Sequence, residues 1–133
     1  PGACYTFTIS PFSGPAMISY APPVAMAIGQ KNPNLGKGDA RPLNEDERGR
    51  LDLVFERDLL DLGAAWSRIE EIAFSDAQHE SEPSSLVGAI PANESVLLVA
   101  IEVNGPGFSG LIELVYPLHT IEPVMEKLKK QER

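Results

Sequence analysis

The sequence has 133 residues, of which 43% are hydrophobic, 7% aromatic and 23% charged, as expected for one globular domain and not for a disordered tail. Its 19 Asp and Glu against 11 Lys and Arg give a net charge of -8, which repels nucleic-acid phosphates and anionic lipids. We therefore expect protein partners, no nucleic-acid binding and no membrane insertion, the last also because every apolar run is far shorter than the roughly 18 residues that span a bilayer.

The first third of the sequence predicts two strands, a short helix and a loop. Apolar and polar residues alternate over Tyr5–Ile9, which indicates a strand with one buried face. A turn separates it from a second strand over Ala16–Tyr20, and the prolines that follow open a short helix over Val24–Ile28. Residues 30–42 are rich in Gly, Pro and Asn without periodicity, so they predict an exposed loop.

The strongest helix signal begins at Asn44, which forms a predicted capping box with Glu47. Apolar residues then recur at spacings of three and four and form one stripe to be buried: Leu51, Phe55, Leu59, Leu62 and Trp66. An extended segment is predicted to begin near Ile69. The acidic, Ser-rich stretch Asp76–Ser85 is interpreted as a solvated loop.

The last third predicts a hairpin and a helix. Val96–Val103 is a nearly continuous apolar run, as in a strand buried on both faces. A turn at Asn104–Gly107 leads to a return strand over Leu111–Val115. The final helix is predicted around Ile121–Leu128.

An internal repeat relates the two hairpins. Ser13-Gly14, a strand ending in Tyr20 and a following proline match Ser109-Gly110, a strand ending in Tyr116 and Pro117. The fold is therefore predicted to be α/β (α+β), with two β-hairpin-plus-helix repeats that form a central sheet flanked by helices. Because a long helix precedes the second repeat, we expect an equivalent helix before the first. Residues 1–133 are then a single domain that lacks its first helix.

Two glycine-rich segments resemble functional motifs, a phosphate-binding loop and a nucleophile elbow, but their residue spacing does not match either motif. A phosphate-binding loop around Gly36-Lys37-Gly38 requires Gly where Lys31 stands and Ser or Thr where Gly38 stands. Gly107–Gly110 resembles a nucleophile elbow, but its second glycine comes one residue early and it lies in a hairpin turn. A flexible connection and a turn are the simpler interpretations.

The remaining reactive side chains predict neither a metal site nor a cofactor. His79 and His119 have no second ligand at metal-binding spacing and are expected at the surface. The single Cys4 forms no internal disulfide, which favours a reducing compartment, and without a basic neighbour it is expected to be a buried thiol. Trp66 is expected in the core.

A set of short motifs runs in order along nearly the whole sequence and resembles the middle domain of the FliM family of flagellar motor switch proteins. The motifs are Pro11-Phe12-Ser13-Gly14, Leu43-Asn44 with Glu47, Ala65-Trp66, Ile90-Pro91-Ala92-Asn93-Glu94, Glu102-Val103, Ser109-Gly110, Tyr116-Pro117, and Ile121-Glu122-Pro123 with Leu128. The resemblance implies a CheC-like fold with two pseudo-symmetric halves, in agreement with the repeat.

The resemblance also implies a function. A family member is a noncatalytic rotor component of the cytoplasmic C-ring, at the flagellar basal body and peripheral to the inner membrane. Its middle domain contacts FliG and neighbouring FliM subunits and transmits the chemotaxis signal that sets the direction of flagellar rotation. FliN is expected to bind another domain, and phosphorylated CheY mainly a short N-terminal segment that this sequence lacks.

The expected FliG-binding residues lie in the exposed loop, where the family carries a Gly-Gly-x-Gly motif. The matching stretch is divergent, and the candidate site consists of Pro33, Gly36, Lys37, Gly38 and Asp39. Glycines permit close backbone approach, and the two charged residues can fix the register with a charged partner. The alternative interpretation of the same residues is a solvated connection.

Two other functions stay open. A CheC/FliY-type phosphatase of phosphorylated CheY requires Glu-x-x-Asn on an exposed helix face. In the long helix Asp52 is followed at this spacing by Phe55 and Glu56 by Leu59, which leaves only the unseen first helix to carry the motif, so we expect no enzyme. The other is a noncatalytic component of a secretion-system sorting platform; the stretch from Tyr116-Pro117 to Glu122-Pro123 favours the motor protein.

Overall fold

The computed structural model describes residues 3–12, 14–29, 43–80 and 95–131. In chain order the elements are β1 (Ala3–Ser10), β2 (Gly14–Tyr20), α1 (Pro22–Gly29), α2 (Glu45–Trp66), β3 (Ala73–Glu80), β4 (Val96–Gly105), β5 (Phe108–Pro117) and α3 (Leu118–Gln131). Helices and strands are mixed along the chain, which confirms the predicted α+β class.

The five strands form one antiparallel sheet in the order β3-β1-β2-β5-β4. Strands β1–β2 and β4–β5 are the two repeated hairpins, and they meet where β2 pairs with β5. At this junction Ile18 lies opposite Leu114, and these two residues occupy the same position in the repeat. The pairs on either side are Met17 with Val115 and Ser19 with Glu113. Exchanging the two halves converts each of these pairs into the other. A pseudo-two-fold axis therefore passes between Ile18 and Leu114.

Helix α2 begins at the predicted capping box. The Asn44 side chain accepts a hydrogen bond from the Glu47 backbone N–H, and the Asn44 backbone N–H donates to the Glu47 carboxylate, both at 2.9 Å. In the apolar stripe of the helix, Leu51 and Phe55 are buried, whereas Leu59, Leu62 and Trp66 are half-buried against the core. The N-terminal half of the stripe thus forms the deeper contact.

The core joins α2 and the first hairpin and extends to residues of α1, β5 and α3. The ring of Tyr5 stacks on Phe55 with centroids 4.0 Å apart, and Phe7 packs against the same ring at 6.1 Å. Such aromatic pairs stabilise a core beyond the area that they bury. The largest fully buried side chains are Tyr20, Phe7, Ile9, Leu51, Val24, Thr120 and Pro117.

The repeated glycines allow helices of one half to approach strands of the other. A Cβ atom at Gly14 would lie 2.1 Å from the Thr120 hydroxyl oxygen on α3, and one at Gly110 would lie 2.9 Å from a Val24 methyl carbon on α1. The residue offset that relates Gly14 to Gly110 also relates Val24 to Thr120. The two close contacts are therefore equivalents under the pseudo-two-fold, which explains physically why the Ser-Gly motif repeats.

Two sequence predictions are wrong in detail. Asp76–Glu80, predicted as part of a solvated loop, belongs to strand β3 and pairs with β1. Its polarity suits the edge of the sheet, where little apolar surface is buried, so the composition hid the strand. Strand β4, predicted to be buried on both faces, is exposed along most of its length, because it is the other edge strand and no described element covers it.

Candidate functional site

The five residues predicted to bind FliG lie outside the described residues, as does the whole predicted loop 30–42: Pro33, Gly36, Lys37, Gly38 and Asp39. The structure does describe both stems of this loop. The entry stem is the end of α1 at Gly29, and the exit stem is the start of α2 after Asn44. These two stems form the described base of the candidate site.

The entry stem is fastened to the first turns of α2. The Arg50 side chain donates a hydrogen bond from Nε to the Gly29 carbonyl oxygen, and a charged donor makes this bond stronger than a neutral one. A Cβ atom at Gly29 would lie 2.9 Å from the Cβ of Glu47 and 3.2 Å from its carbonyl oxygen. Glycine therefore lets the end of α1 contact the α2 backbone.

The exit stem is fixed by the capping box. Glu47 serves both stems, since its carboxylate accepts from the Asn44 backbone N–H while its backbone packs against Gly29. The residue is only 3% exposed, which is unusual for a glutamate unless its charge is hydrogen-bonded. The residues on either side of segment 30–42 are thus held together on one base, an arrangement that suits a binding segment.

A second candidate is an open cleft of about 270 Å³ between α2 and β3. Its lining consists of Tyr5, Arg48, Asp52, Phe55, Glu56, Leu59, Ala77 and His79. His79, expected in a solvated loop, is half-buried in β3, with its ring edge-on to Tyr5 at 5.2 Å. The cleft therefore brings a histidine and two carboxylates near one tyrosine.

In this cleft the Tyr5 hydroxyl and the Asp52 carboxylate are engaged in a structural hydrogen bond with each other. The Tyr5 hydroxyl donates to Asp52 at 2.5 Å, and burial, followed by this bond, raises the pKa of Tyr5 well above its usual range. The hydroxyl therefore stays protonated and is no base. Tyr20 makes the matching bond to Asp58 at 2.5 Å, with its pKa raised in the same way. Both bonds tether α2 to the first hairpin.

Neither a metal centre nor a phosphatase motif is assembled in the described ranges. They contain no group of three or more His, Cys, Asp and Glu arranged to hold a metal ion. On α2, the residue three positions after Asp52 is the buried Phe55, and Asp52 itself is bonded to Tyr5. The described helix thus cannot present an acid and an amide side by side at this position.

Other reactive side chains lie away from these features. Cys4 is buried, as expected, and His119 is exposed on α3. Trp66 packs half-buried on the core and donates from Nε1 to the Tyr116 hydroxyl at 3.2 Å. Among the described helices, none is long and apolar enough to cross a membrane.

Comparison with known proteins decides the family. The family model described as "Flagellar motor switch protein FliM" matches residues 1–133. The chain belongs to the FliM family. This result confirms the resemblance that the sequence motifs indicated.

Curated FliM relatives are similar over much of the chain. The Borreliella burgdorferi protein is 27% identical over 132 residues, which cover 96% of this chain and 37% of the relative. The Treponema pallidum protein is 26% identical over 135 residues, 98% of this chain and 39% of the relative. The Thermotoga maritima protein is 33% identical over 88 residues, 66% and 26%. The chain therefore spans less than two fifths of these relatives.

Solved FliM structures share the fold. A FliM–SpeE complex from H. pylori matches with a TM-score of 0.84 and 22% identity, covering 99% of this chain and 69% of that one. A FliM middle domain from Vibrio alginolyticus gives 0.79 and 20%, covering 96% and 72%. A FliG–FliM complex from H. pylori gives 0.77 and 21%, covering 95% and 70%. The fold is that of FliM middle domains, as the resemblance implied.

Sequence reasoning missed the base of the loop. Arg50 is one of several charged residues on α2, and no pattern distinguished it from its neighbours. Gly29 did carry a signal, because a glycine at the end of a short helix marks either a cap or a close approach. The Tyr5–Asp52 bond joins residues far apart in sequence and left no local trace.

Proposed function

We propose that the chain is a noncatalytic protein-binding module of the flagellar motor switch, with loop 30–42 as its contact to FliG. The observation that carries the proposal is the family match over residues 1–133. The base formed by Gly29, Glu47 and Arg50 supports the choice of loop, because it fixes both ends of the segment that holds the candidate residues. A solved relative is itself a FliG–FliM complex.

The wider assembly follows from the same proposal. Neighbouring FliM subunits contact this domain in the cytoplasmic C-ring, peripheral to the inner membrane at the basal body. FliN and phosphorylated CheY bind other parts of the full-length protein, CheY mainly through an N-terminal segment. The domain transmits the chemotaxis signal between these partners and FliG, and so helps to set the direction of flagellar rotation.

Calorimetric titration of the full-length protein with FliG tests the loop. Replacing Gly36 and Gly38 together by valine removes close backbone approach, and we expect FliG binding to weaken by about tenfold or more, or roughly 1.4 kcal/mol. The melting temperature should stay nearly unchanged. Gly49→Val is the matched control, since nothing lies within 4 Å of a Cβ atom at this exposed position. Unchanged affinity in the double variant would show that the loop is only a connection.

The phosphatase alternative receives a direct test. We propose that the domain does not hydrolyse phosphorylated CheY, because the described α2 presents no amide three residues after Asp52 or Glu56. The measurement is phosphate release from phosphorylated CheY at substoichiometric full-length protein. Saturable, multiple-turnover release would contradict the proposal.

A further inference from the structure

The two most exposed large apolar side chains that the structure describes lie on one helix, α2. Leu53 is 66% exposed and Leu60 is 76% exposed. Single exposed leucines are ordinary on protein surfaces, but these two are seven residues apart, which is nearly two turns of a helix and places them on one side of it. Their exposure shows that no described element covers this side of α2.

This side of α2 lies opposite the face that packs on the core. Leu51 is buried, and at about 100° per residue Leu53 and Leu60 lie about 180° to 200° around the helix axis from it. The exposed residues Arg57 and Ala64 lie on the same side. We name the line of Leu53, Arg57, Leu60 and Ala64 the outer seam.

The spacing of the outer seam is that of a helix that packs along another helix. Its four residues follow one another at intervals of four, three and four, which is the spacing of positions a and d in a heptad, with the leucines at d. Such leucines fill holes between the side chains of a facing helix. A charged residue inside the seam, here Arg57, selects the register of the pair. A strip this narrow suits one helix as its partner.

Both margins of the outer seam are acidic. Glu56 and Asp61 are exposed, and they lie on opposite sides of the seam, about 140° and 280° around the helix axis from Leu51. In paired helices these flanking positions form the salt bridges that choose the partner. They therefore favour Lys and Arg on the facing helix. The net charge of -8 attracts such a partner over a longer distance.

We propose that the outer seam of α2 is a docking surface for a basic amphipathic helix of a partner protein. The apolar stripe of the partner packs on Leu53 and Leu60, in the manner of a helix that binds through regularly spaced apolar anchors. Its flanking Lys or Arg side chains pair with Glu56 and Asp61. An acidic residue of the partner that faces Arg57 sets the register.

Charge argues against the same seam of a second copy as the occupant. Two outer seams packed together would place Glu56 and Asp61 of one copy beside the same acids of the other, and like charges between paired helices are destabilising. A basic helix replaces this repulsion by attraction. The seam contains none of Gly29, Glu47 and Arg50, which form the base of loop 30–42, so this proposal and the proposed FliG contact fail independently.

Labelled synthetic peptides test the proposal on the full-length protein. The probe has about 21 residues, with leucine at positions a and d and lysine at positions e and g of its heptads, and the matched peptide carries glutamate in place of lysine. Fluorescence anisotropy measures both affinities. We expect the lysine peptide to bind at least about tenfold more tightly, with a difference that shrinks as salt is added. Equal affinities, or no binding of the lysine peptide, would overturn the proposal.

Removing the leucines tests the seam itself. Leu53→Gln with Leu60→Gln keeps good helix formers in α2, and we expect the affinity for the lysine peptide to fall by about tenfold or more. Leu111→Gln with Met125→Gln is the matched control, because it replaces two exposed apolar side chains outside α2, and it should leave the affinity unchanged. The same loss in both double variants would overturn the proposal.

Exchanging the flanking charges tests the partner's chemistry. Glu56→Lys with Asp61→Lys should reverse the preference, so that the glutamate peptide binds more tightly than the lysine peptide. Glu122→Lys with Glu126→Lys makes the same change in net charge at exposed positions of α3, and this variant should still prefer the lysine peptide. Reversal in both variants would show that net charge alone selects the peptide, which would overturn the proposal.

Two measurements on the Leu53→Gln and Leu60→Gln double variant decide the occupant. Light scattering should give the same molar mass as for the unsubstituted full-length protein. A lower mass would show that a second copy occupies the seam and would overturn the proposal. Calorimetric titration with FliG should give an unchanged affinity. A loss would identify FliG as the occupant and overturn a separate partner, without affecting the test of loop 30–42.

Discussion

The two halves of the molecule share one hairpin-plus-helix unit but differ in what surrounds it. Strand β1 alternates apolar and polar residues, and its apolar side chains are buried beneath α2. Strand β4 is more apolar throughout but largely exposed. Hydrophobic composition therefore shows what a strand is suited to contact, whereas burial depends on which elements are present beside it.

The largest expected difference between the halves concerns their central apolar side chains. Phe55→Ala removes the ring that covers Tyr5 and Phe7, and the cavity should lower the free energy of unfolding by about 4 kcal/mol. Val99→Ala, at the position equivalent to Tyr5, should lower it by less than about 1 kcal/mol in residues 1–133 alone. Urea unfolding measures both. Equal losses would contradict the difference in burial between strands β1 and β4.

The repeated glycines should instead behave alike, since their close contacts are equivalents. Gly14→Ala and Gly110→Ala each insert a Cβ atom into occupied space, and each should destabilise the fold by about 1–3 kcal/mol. Thr120→Ala removes the hydroxyl that the new atom at position 14 would meet. The double variant Gly14→Ala with Thr120→Ala should therefore be more stable than the sum of the two single losses predicts. Additive losses would contradict the contact between the halves.

The equivalent residues Tyr20 and Tyr116 should make the stability of the two halves depend on pH. Burial and the bond to Asp58 raise the pKa of Tyr20 above its ordinary value near 10. Above this pH the unfolded chain loses the proton and the folded chain keeps it, so stability is complete below pH 10 and falls as pH rises. Tyr20→Phe should lower the free energy of unfolding at pH 8 by about 1–1.5 kcal/mol.

Urea unfolding between pH 8 and pH 11.5 measures this effect. The alkaline loss of stability should be shallower in Tyr20→Phe, because one titrating group is removed. Tyr116→Phe is the counterpart in the second half, where burial also raises the pKa. A profile for Tyr20→Phe parallel to that of the unsubstituted protein would show that the hydroxyl does not titrate between the two states.

The smallest expected effect has the opposite sign. Gly49 lies exposed within α2, and a Cβ atom there would meet nothing within 4 Å. Gly49→Ala should raise the free energy of unfolding by about 0.5–1 kcal/mol, since alanine restricts the unfolded chain and favours helix. Thermal unfolding checks this gain. A loss would show that the start of α2 is packed more tightly than its open surroundings indicate.

Local signals were sufficient where the interactions are local. The capping box links residues three apart, and both hydrogen bonds are present. The repeat also revealed the symmetry of the two hairpins. The reason for its glycines was not visible, because Thr120 and Val24 approach them from distant parts of the chain. Sequence patterns thus located the repeated Ser-Gly motif but did not show which side chains its glycines contact.

The errors arise where burial depends on distant neighbours. Strand β3 was missed over Asp76–Glu80 because an edge strand carries little apolar alternation. The exposure of β4 could not be predicted, since an apolar run does not reveal whether its partners are present. The loop candidates remain a prediction, and Arg50 could not be recognised without the position of Gly29.

If the base formed by Gly29, Glu47 and Arg50 carries the binding segment, this base should control FliG binding. The measurement is calorimetric titration of the full-length protein with FliG for Arg50→Gln, which removes the guanidinium donor to Gly29, and for Arg57→Gln, an exposed position on the same helix. We predict that Arg50→Gln weakens binding by about tenfold, or roughly 1.4 kcal/mol, while Arg57→Gln does not. Identical affinities for both variants and the unsubstituted protein would contradict a binding site carried by this base.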